Sequence, residues 1–276
     1  MHPHGYRDTR ERQHKVYTMT QPDIFDDDAP WAERLPELRL LLEAYSSVPH
    51  QEQFTDAPGS PSKAMRSYLR MATFYPGRAF RATAEILDTL KRGLDDALVM
   101  SEMESMVGIV APDGRTREDC LMMMIPHLVA FTEVGEQAVV GTPETSWEWR
   151  ERLPNLHNLL GGYYHQNVSD VYPGLNRNNL DEVVLADYFA THWGYEVAAT
   201  LFEIDELLAM GSGEEFFKPA TSELGLEIVP PGGLSHEEWL STISRDLQHR
   251  LDAVDYQPPT PPNPAYPAHD KRAWER

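Results

Sequence analysis

The chain has 276 residues, of which 41% are hydrophobic, so it can bury one large core or two small ones. Its formal net charge of -20 excludes an extended phosphate-binding surface, because nucleic-acid affinity comes mainly from Lys and Arg. Because of this acidic charge, we predict no nucleic-acid partner. The single cysteine, Cys120, excludes an internal disulfide and a cysteine-rich zinc site. The acidic charge is consistent with a solvated surface or with electrostatic attraction to a basic protein.

Residues 1–29 are polar and lack periodicity, which predicts a disordered N-terminal segment with Met1 or Met19 as the start of translation. Their basic residues are not followed by an apolar stretch, so the segment is not a secretory signal. The longest apolar run, residues 120–131, is interrupted by Pro126 and is shorter than the roughly 20 residues that span a bilayer. These features predict a cytoplasmic protein with no membrane partner.

The sequence contains an internal repeat. WAERLPELRLLLEAY at 31–45 matches WRERLPNLHNLLGGY at 149–163 at nine of 15 positions. Ordinary composition would give about one identity, so the match indicates a duplication. A weaker, collinear match pairs residues 77–90 with 194–207 through a shared glycine, threonine, aspartate and final leucine.

A third collinear block pairs residues 107–128 with 226–247. The repeat spacing near 118 residues exceeds the roughly 20–50 residues of a solenoid unit, so each copy should be a small domain. We predict two tandem homologous helical domains with flanking and linking segments: a disordered segment at 1–29, a first domain at 30–132, a linker at 133–146, a second domain at 147–256, and a proline-rich disordered tail at 257–276.

Both copies carry the hydrophobic spacing of helices, which predicts an all-α fold class. Apolar residues recur every three or four positions in two runs of the second copy: Val197, Leu201, Ile204 and Leu208, then Trp239, Ile243, Leu247, Leu251 and Val254. Capping boxes are predicted at Ser235 with Glu238 and at Thr116 with Asp119. Two apolar tetrapeptides that precede Pro-x-Gly turns, VGIV and LEIV, are compatible with very short strands.

The repeat also separates shared positions from positions that differ. Equivalent leucines and tyrosines are predicted to lie in the core: Leu38, Leu41, Leu42, Tyr45, Leu156, Leu159, Leu160 and Tyr163. After the tyrosine the copies diverge, with YHQNV at 164–168 where the first copy has SSVPH at 46–50. Two hypotheses follow. The new residues serve a function of the second copy, or they build a different helix end in which His165 binds local carbonyl groups.

Catalytic chemistry finds little support in the sequence. Four side chains are candidate ligands of a metal-dependent hydrolase: His157, His165, Asp170 and His192. No pair of them has the H-E-x-x-H spacing, and the chain contains no nucleophile elbow, P-loop or dinucleotide fingerprint. Cys120 aligns with Trp239 on an apolar helix face, which predicts a buried cysteine. We predict a binding protein that is not an enzyme and has no metal or cofactor. The hydrolase and an all-α scaffold or adaptor acting through the proline-rich tail are the alternatives.

Three segments of the second copy carry a family resemblance: LPNLHNLLGGYYHQ at 153–166, EIDELLA at 203–209 and GGLSHEEWLSTISRDL at 232–247. In this order and spacing they resemble the immunity-protein domain of bacterial contact-dependent growth inhibition (CDI) systems. Family members continue the Tyr-x-His-Gln motif with an acidic residue and a tryptophan, where this chain has Asn167 and Val168. The first copy resembles a diverged form of the same domain.

The resemblance implies a cytosolic immunity protein that binds a cognate toxin domain from a competing cell and neutralises it. Many such toxins are nucleases with basic clefts, and an acidic protein fits such a target. We expect a helical surface with an aromatic centre and an acidic rim. The central candidates are Tyr164, His165 and Gln166, and the rim candidates are Glu206, Glu214, Glu215 and Glu237. The sequence does not specify an oligomeric state.

Overall fold

The structure, a computed structural model, describes residues 35–94, 110–134, 141–172, 175–176 and 179–256. The predicted disordered segment at the N-terminus and the proline-rich tail lie outside these residues. Among the described helices, none is both long enough and apolar enough to cross a membrane.

Every regular element of the described residues is helical, which confirms the all-α class. In the first copy these are α1 (Pro36–Ser46), α2 (Lys63–Ala72), α3 (Arg78–Arg92) and α4 (Arg117–Val134). In the second they are α5 (Ser146–Arg152), α6 (Pro154–Tyr163), α7 (Val168–Val171), α8 (Leu180–Thr191), α9 (Gly194–Met210), α10 (Glu214–Glu223) and α11 (His236–Ala253). Each copy also has a short 3-10 helix, His50–Glu52 in the first and Pro231–Gly233 in the second. The LEIV segment at 226–229 forms no strand, and of the VGIV segment only Val110 is described.

Each copy packs its helices around its own hydrophobic cluster. The clusters contain most of the predicted core residues: Leu38, Leu41, Leu42, Tyr45, Leu156, Leu159 and Leu160. Tyr163 is only partly buried, contrary to the prediction. The apolar stripe of α11 also ends earlier than predicted, because the helix stops at Ala253 and leaves Val254 58% exposed.

The helices α1 and α6 begin in the same way. Leu35 precedes α1 with φ -124° and ψ 51°, and Leu153 precedes α6 with φ -126° and ψ 56°. A proline then occupies the first turn of each helix, where its missing N–H costs nothing. The repeated Leu-Pro dipeptide therefore sets one local conformation twice.

A buried glutamate closes the N-terminus of each of these helices. The Leu38 N–H donates to Glu85 Oε2 at 2.7 Å, and the Leu156 N–H donates to Glu203 Oε2 at 2.8 Å. A carboxylate at this place satisfies a free N–H group and complements the helix dipole. The two glutamates lie 118 positions apart, as do the two leucines, so α3 and α9 are equivalent in that register.

The sequence pairing of 77–90 with 194–207 is therefore one residue out, because it sets Glu85 opposite Phe202. The two glycines on which this pairing depends, Gly77 and Gly194, have different structural roles. Gly77 precedes α3 in the left-handed region with φ 79°. Gly194 lies in the first turn of α9, where an added Cβ would be 2.6 Å from the Tyr256 ring.

Both predicted capping boxes are present. At the start of α4, the Thr116 N–H donates to Asp119 Oδ2 at 2.8 Å and the Asp119 N–H donates to Thr116 Oγ1 at 3.1 Å. At the start of α11, the Ser235 N–H donates to Glu238 Oε2 at 3.0 Å and the Glu238 N–H donates to Ser235 Oγ at 3.2 Å. These local motifs confirm the register of the third block.

Cys120 and Trp239 occupy equivalent places on the inner faces of α4 and α11, and both are fully buried. Burial raises the pKa of the Cys120 thiol. The cysteine therefore behaves as a small core residue, as the alignment predicted.

The helix α5 joins the two cores. Trp147 packs in the first cluster, stacked on Tyr68 with ring centroids 6.2 Å apart. Trp149, two residues later, packs in the second cluster, edge-on to Phe216 at 6.3 Å. One short helix thus places a tryptophan in each core.

An ion pair beside Trp147 fixes α5 to α2. Arg70 of α2 donates to both carboxylate oxygens of Glu148, at 2.6 and 2.7 Å, and to Glu144 at 2.7 Å. Arg70 is 5% exposed and Glu148 is fully buried. Burial by itself would lower the pKa of Arg70, but the bonds and charges of Glu148 and Glu144 outweigh it and raise this pKa. The pair is therefore charged and held inside the contact between the copies.

The predicted linker at 133–146 is helical at both ends. Glu133 and Val134 form the last turn of α4, and Ser146 begins α5. Residues 135–140 lie outside the described residues.

Candidate partner-binding surface

Gly225, in the turn that follows α10, packs closely against Gly161 near the end of α6. A Cβ on Gly225 would lie 2.8 Å from the Cα atom of Gly161, and Gly225 has φ 89°, which itself favours glycine. One turn earlier in α6, His157 Nδ1 binds the Leu224 carbonyl oxygen at 2.9 Å. This end of α6 therefore packs against the turn after α10, in the same copy.

Tyr164 lies in the core with 0% of its surface exposed. Its ring meets the Trp239 ring edge-on, with centroids 5.0 Å apart. Burial raises the pKa of the Tyr164 hydroxyl well above its usual value, and the neighbouring Asp181 carboxylate raises it further. Asp181 also accepts a hydrogen bond from Trp239 Nε1 at 3.2 Å. In this conformation Tyr164 supports the surface from below and does not present its side chain to a partner, contrary to the sequence-based expectation.

Of the two adjacent tyrosines, Tyr164 is buried and Tyr163 is not, which is the reverse of what the sequence alignment predicts. Tyr45 of the first copy is buried and donates from its hydroxyl to Asp56 at 2.7 Å. Tyr163 aligns with Tyr45 in sequence, but it lies at the edge of the core, with its hydroxyl 2.8 Å from Thr191 Oγ1. Tyr164, beside the half-buried Asp181, is the tyrosine of this pair that lies in the core, as Tyr45 does in the first copy.

His165 and Gln166 lie outside the core. Nδ1 of the half-buried His165 accepts a hydrogen bond from the Asn167 N–H at 3.1 Å. The backbone N–H of the exposed Gln166 donates to Glu227 Oε2 at 2.9 Å, and the Glu227 N–H donates to the Tyr164 carbonyl at 3.3 Å. His165 thus has a role at the helix end, although it binds a backbone N–H and not the predicted carbonyl. Among these three residues, Gln166 has the most accessible side chain.

Two of the predicted rim acids link the N-termini of α10 and α11, because each acid accepts hydrogen bonds at the start of the other helix. Glu214, in the first turn of α10, accepts a hydrogen bond from the His236 N–H at 3.0 Å and a short one from its ring Nδ1. Glu237, in the first turn of α11, accepts from the Gly213 N–H at 2.9 Å. Desolvation would raise the pKa of Glu214, but the bonds from His236 outweigh it and lower this pKa. Both acids therefore stabilise the fold.

The other two acids have different surroundings. Glu206 on α9 pairs with Arg152 Nε at 2.8 Å, and the Arg152 guanidinium lies 5.3 Å from the ring centre of Phe74 in the first copy. Glu206 therefore belongs to the contact between the copies. Glu215, in the first turn of α10, is exposed.

The seven predicted residues do not form one patch. The Tyr164 to Gln166 segment adjoins the C-terminal end of α10, whereas Glu214 and Glu215 lie at its N-terminal end. A helix of ten residues is about 15 Å long, so the two groups are separated by the length of α10.

The candidate metal ligands also have separate places. His157 binds Leu224, His165 binds Asn167, and His192 Nε2 lies 3.0 Å from Asn158 Nδ2. Asp170 is exposed on the short helix α7. Within the described ranges, no three His, Cys, Asp or Glu side chains come together in a way that could hold a metal ion.

The negative charge of the protein is concentrated in the second copy. Residues 147–256 contain 19 acidic and six basic residues, a net charge of -13. Residues 30–132 contain 14 acidic and 11 basic residues, a net charge of -3. A basic partner is therefore attracted mainly to the second copy.

Sequence reasoning missed the corner between α8 and α9. Trp193 is 73% exposed there, and Tyr195 is 52% exposed. The signal was the HWGY sequence, in which two aromatic residues flank a helix start without helical core spacing.

A match to a known protein family lies within the second copy. Residues 152–247 match the family model described as CdiI immunity protein, and this range begins at the end of α5 and ends within α11. Neither the curated proteins nor the solved structures include a match to the chain. Residues 152–247 are therefore similar to the CdiI immunity proteins, which confirms the resemblance of the second copy to the immunity family of contact-dependent growth inhibition.

Proposed function

We propose that the protein binds the toxin domain of a contact-dependent growth inhibition system and neutralises it in the cytoplasm, as a non-catalytic immunity protein. The match of residues 152–247 to the CdiI immunity protein family carries this proposal. We assign the immune function to the second copy because the match lies within it.

The charge distribution supports a basic toxin, such as a nuclease. A net charge of -13 on residues 147–256 accelerates association with a cationic surface, and a nuclease cleft that accommodates phosphates is such a surface. Carboxylates that occupy the cleft in place of phosphates would block the substrate. Association should therefore slow as salt screens the charges over distances of about 10 Å.

The packing of the second copy supports a preformed binding surface. The segment that follows α6 is fixed by the Gly161 contact and by the bonds between Tyr164, Gln166 and Glu227. Little conformational entropy is then lost when a partner binds. Among the predicted contact residues, Gln166 and Glu215 have exposed side chains and the fewest structural duties.

Co-expression tests the proposal. The reading frames beside the gene should encode a toxin domain, and this protein should restore the growth of cells that express it. Purified toxin domain and protein should form a complex whose association rate falls with added salt. No protection against any adjacent toxin candidate, together with no complex, would contradict the immune function.

A double variant tests the contact segment. His165→Ala with Gln166→Ala should weaken toxin binding. The matched control is His50→Ala with Gln51→Ala, because the first copy carries its own exposed His-Gln pair. Equal affinities of the two double variants would remove His165 and Gln166 from the interface and leave the immune function intact.

A further inference from the structure

The corner between α8 and α9 presents aromatic side chains that the core leaves outside. Trp193 and Tyr195 are 73% and 52% exposed, and Phe202, two turns further along α9, is 49% exposed. Tyr195 and Phe202 are seven residues apart and share a helix face. We call these three exposed residues, Trp193 at the corner and Tyr195 and Phe202 on one face of α9, the aromatic patch. An exposed group of large aromatic residues is informative, because such side chains gain much free energy when buried.

The corner is rigid although its surface is exposed. Only His192 and Trp193 separate α8 from α9. The His192 ring stacks on the buried Tyr188 ring at 4.1 Å, and its Nδ1 lies 3.0 Å from the Tyr188 carbonyl oxygen. The Trp193 N–H donates to Glu196 Oε2 at 2.7 Å, which fixes the first turn of α9. A binding partner would therefore meet a preformed aromatic patch.

The acidic charge of the second copy favours a basic partner for the aromatic patch. Glu196 places a carboxylate at the corner, where it accepts a hydrogen bond from the Trp193 N–H. The whole second copy has a net charge of -13. Trp and Tyr faces attract Lys and Arg, and Trp and Tyr are enriched among residues that dominate interface energies.

We propose that the aromatic patch is the surface that docks the basic toxin domain, with Trp193 as the anchor between Lys or Arg side chains of the toxin. This inference rests on the proposed immune function. It moves the centre of the interface from the Tyr164 segment to the start of α9.

Isothermal titration against the toxin domain from the adjacent reading frame tests the aromatic patch. Trp193→Ala should weaken binding by at least about 30-fold, as for a dominant interface residue. Trp193→Phe keeps an aromatic face and should recover most of that loss. The matched control is Phe80→Ala, which removes a 63% exposed aromatic residue from α3 of the first copy and should change the affinity less than about twofold. Circular dichroism should show that all three variants are folded.

The outcomes separate the two proposals. If the wild-type protein protects cells and Trp193→Ala binds the toxin as tightly as Phe80→Ala does, the aromatic patch is not the docking surface and the immune function stands. If Trp193→Ala instead converts a wild-type dimer to a monomer without loss of toxin affinity, a second copy of the chain covers the patch and the inference is overturned. If the wild-type protein neither binds nor protects, the immune function itself has failed.

Discussion

The two copies of the repeat use the same helices in the same register, α1, α3 and α4 in one and α6, α9 and α11 in the other, but they carry different surfaces. The internal glutamate at the first helix and the capping box at the last helix are present twice. Only the second copy has a large negative charge and a family match. The two copies therefore share interactions that build the helices and differ in residues without such roles.

The contact between the copies suggests what the first copy does. Trp147 packs into its core, and Arg70 holds Glu148 of the same helix, α5. The family domain begins at the end of that helix. The first copy thus contacts the helix at which the family-matched segment begins.

The largest expected effect comes from breaking this contact. Arg70→Ala leaves the fully buried Glu148 carboxylate without its partner and should lower the free energy of unfolding by about 3–5 kcal/mol. Arg66→Ala is the control, because the Arg66 side chain is 45% exposed and its pair with Glu144 should contribute less than about 1 kcal/mol. Urea denaturation followed by tryptophan fluorescence measures both. Equal losses in the two variants would show that the buried pair does not hold the copies together.

Alanine substitutions of three tyrosines should lower the free energy of unfolding by different amounts. Tyr164→Ala and Tyr45→Ala each empty a buried site and should cost about 3–5 kcal/mol. Tyr163→Ala should cost clearly less, because its side chain is only partly buried. Thermal unfolding of the three variants checks the order. A larger loss for Tyr163 than for Tyr164 would restore the pairing that the sequence alignment suggests.

A pH effect should arise at Glu85. Burial, opposed by the Leu38 N–H and reinforced by the charge of Glu37, raises the pKa of Glu85 from 4.5 to about 7. Between these two values the folded state binds the proton more tightly than the unfolded state, so stability falls as the pH rises. The total loss is roughly 3 kcal/mol.

Glu85→Gln removes this titration. Urea denaturation at pH 5 and pH 8 should therefore show a smaller decline for the variant than for the wild-type protein. The same decline in both proteins would assign the pH dependence to other groups.

The smallest effects should come from the capping boxes. Ser235→Ala and Thr116→Ala each remove a side-chain acceptor from a helix start and should cost about 1 kcal/mol. Ser241→Ala, inside α11 on an exposed turn, should change stability by less than about 0.5 kcal/mol. Thermal melts compare the three variants. A cap that costs no more than Ser241→Ala would mean that packing alone fixes that helix start.

Local patterns predicted most of the fold. The leucine spacing and the capping boxes depend on neighbours three or four residues away, and the leucines and both capping boxes lie in or at the start of helices, as predicted. The repeat was also visible in the sequence, because nine identical positions fell on one short segment. The pairing of α3 with α9 failed by one residue because a shared glycine served different purposes in the two copies.

Local patterns predicted the exposed residues of the candidate site less well. Tyr163 and Tyr164 are adjacent and chemically alike, and only the position of Trp239 and Asp181 decides which one is buried. The predicted rim acids were judged by charge, although three of them bind groups elsewhere in the chain: Glu206, Glu214 and Glu237.

The sequence by itself determined the helical class, the repeat, the acidic charge and the family resemblance of the second copy, because these are properties of composition and short-range order. The tertiary structure decided which side chains remain for a partner. Glu85 meets Leu38 across 47 residues, and Arg70 meets Glu148 across 78. Such pairings depend on how the helices pack, and a side chain such as Trp193 is known to be exposed only when every helix around it has been placed.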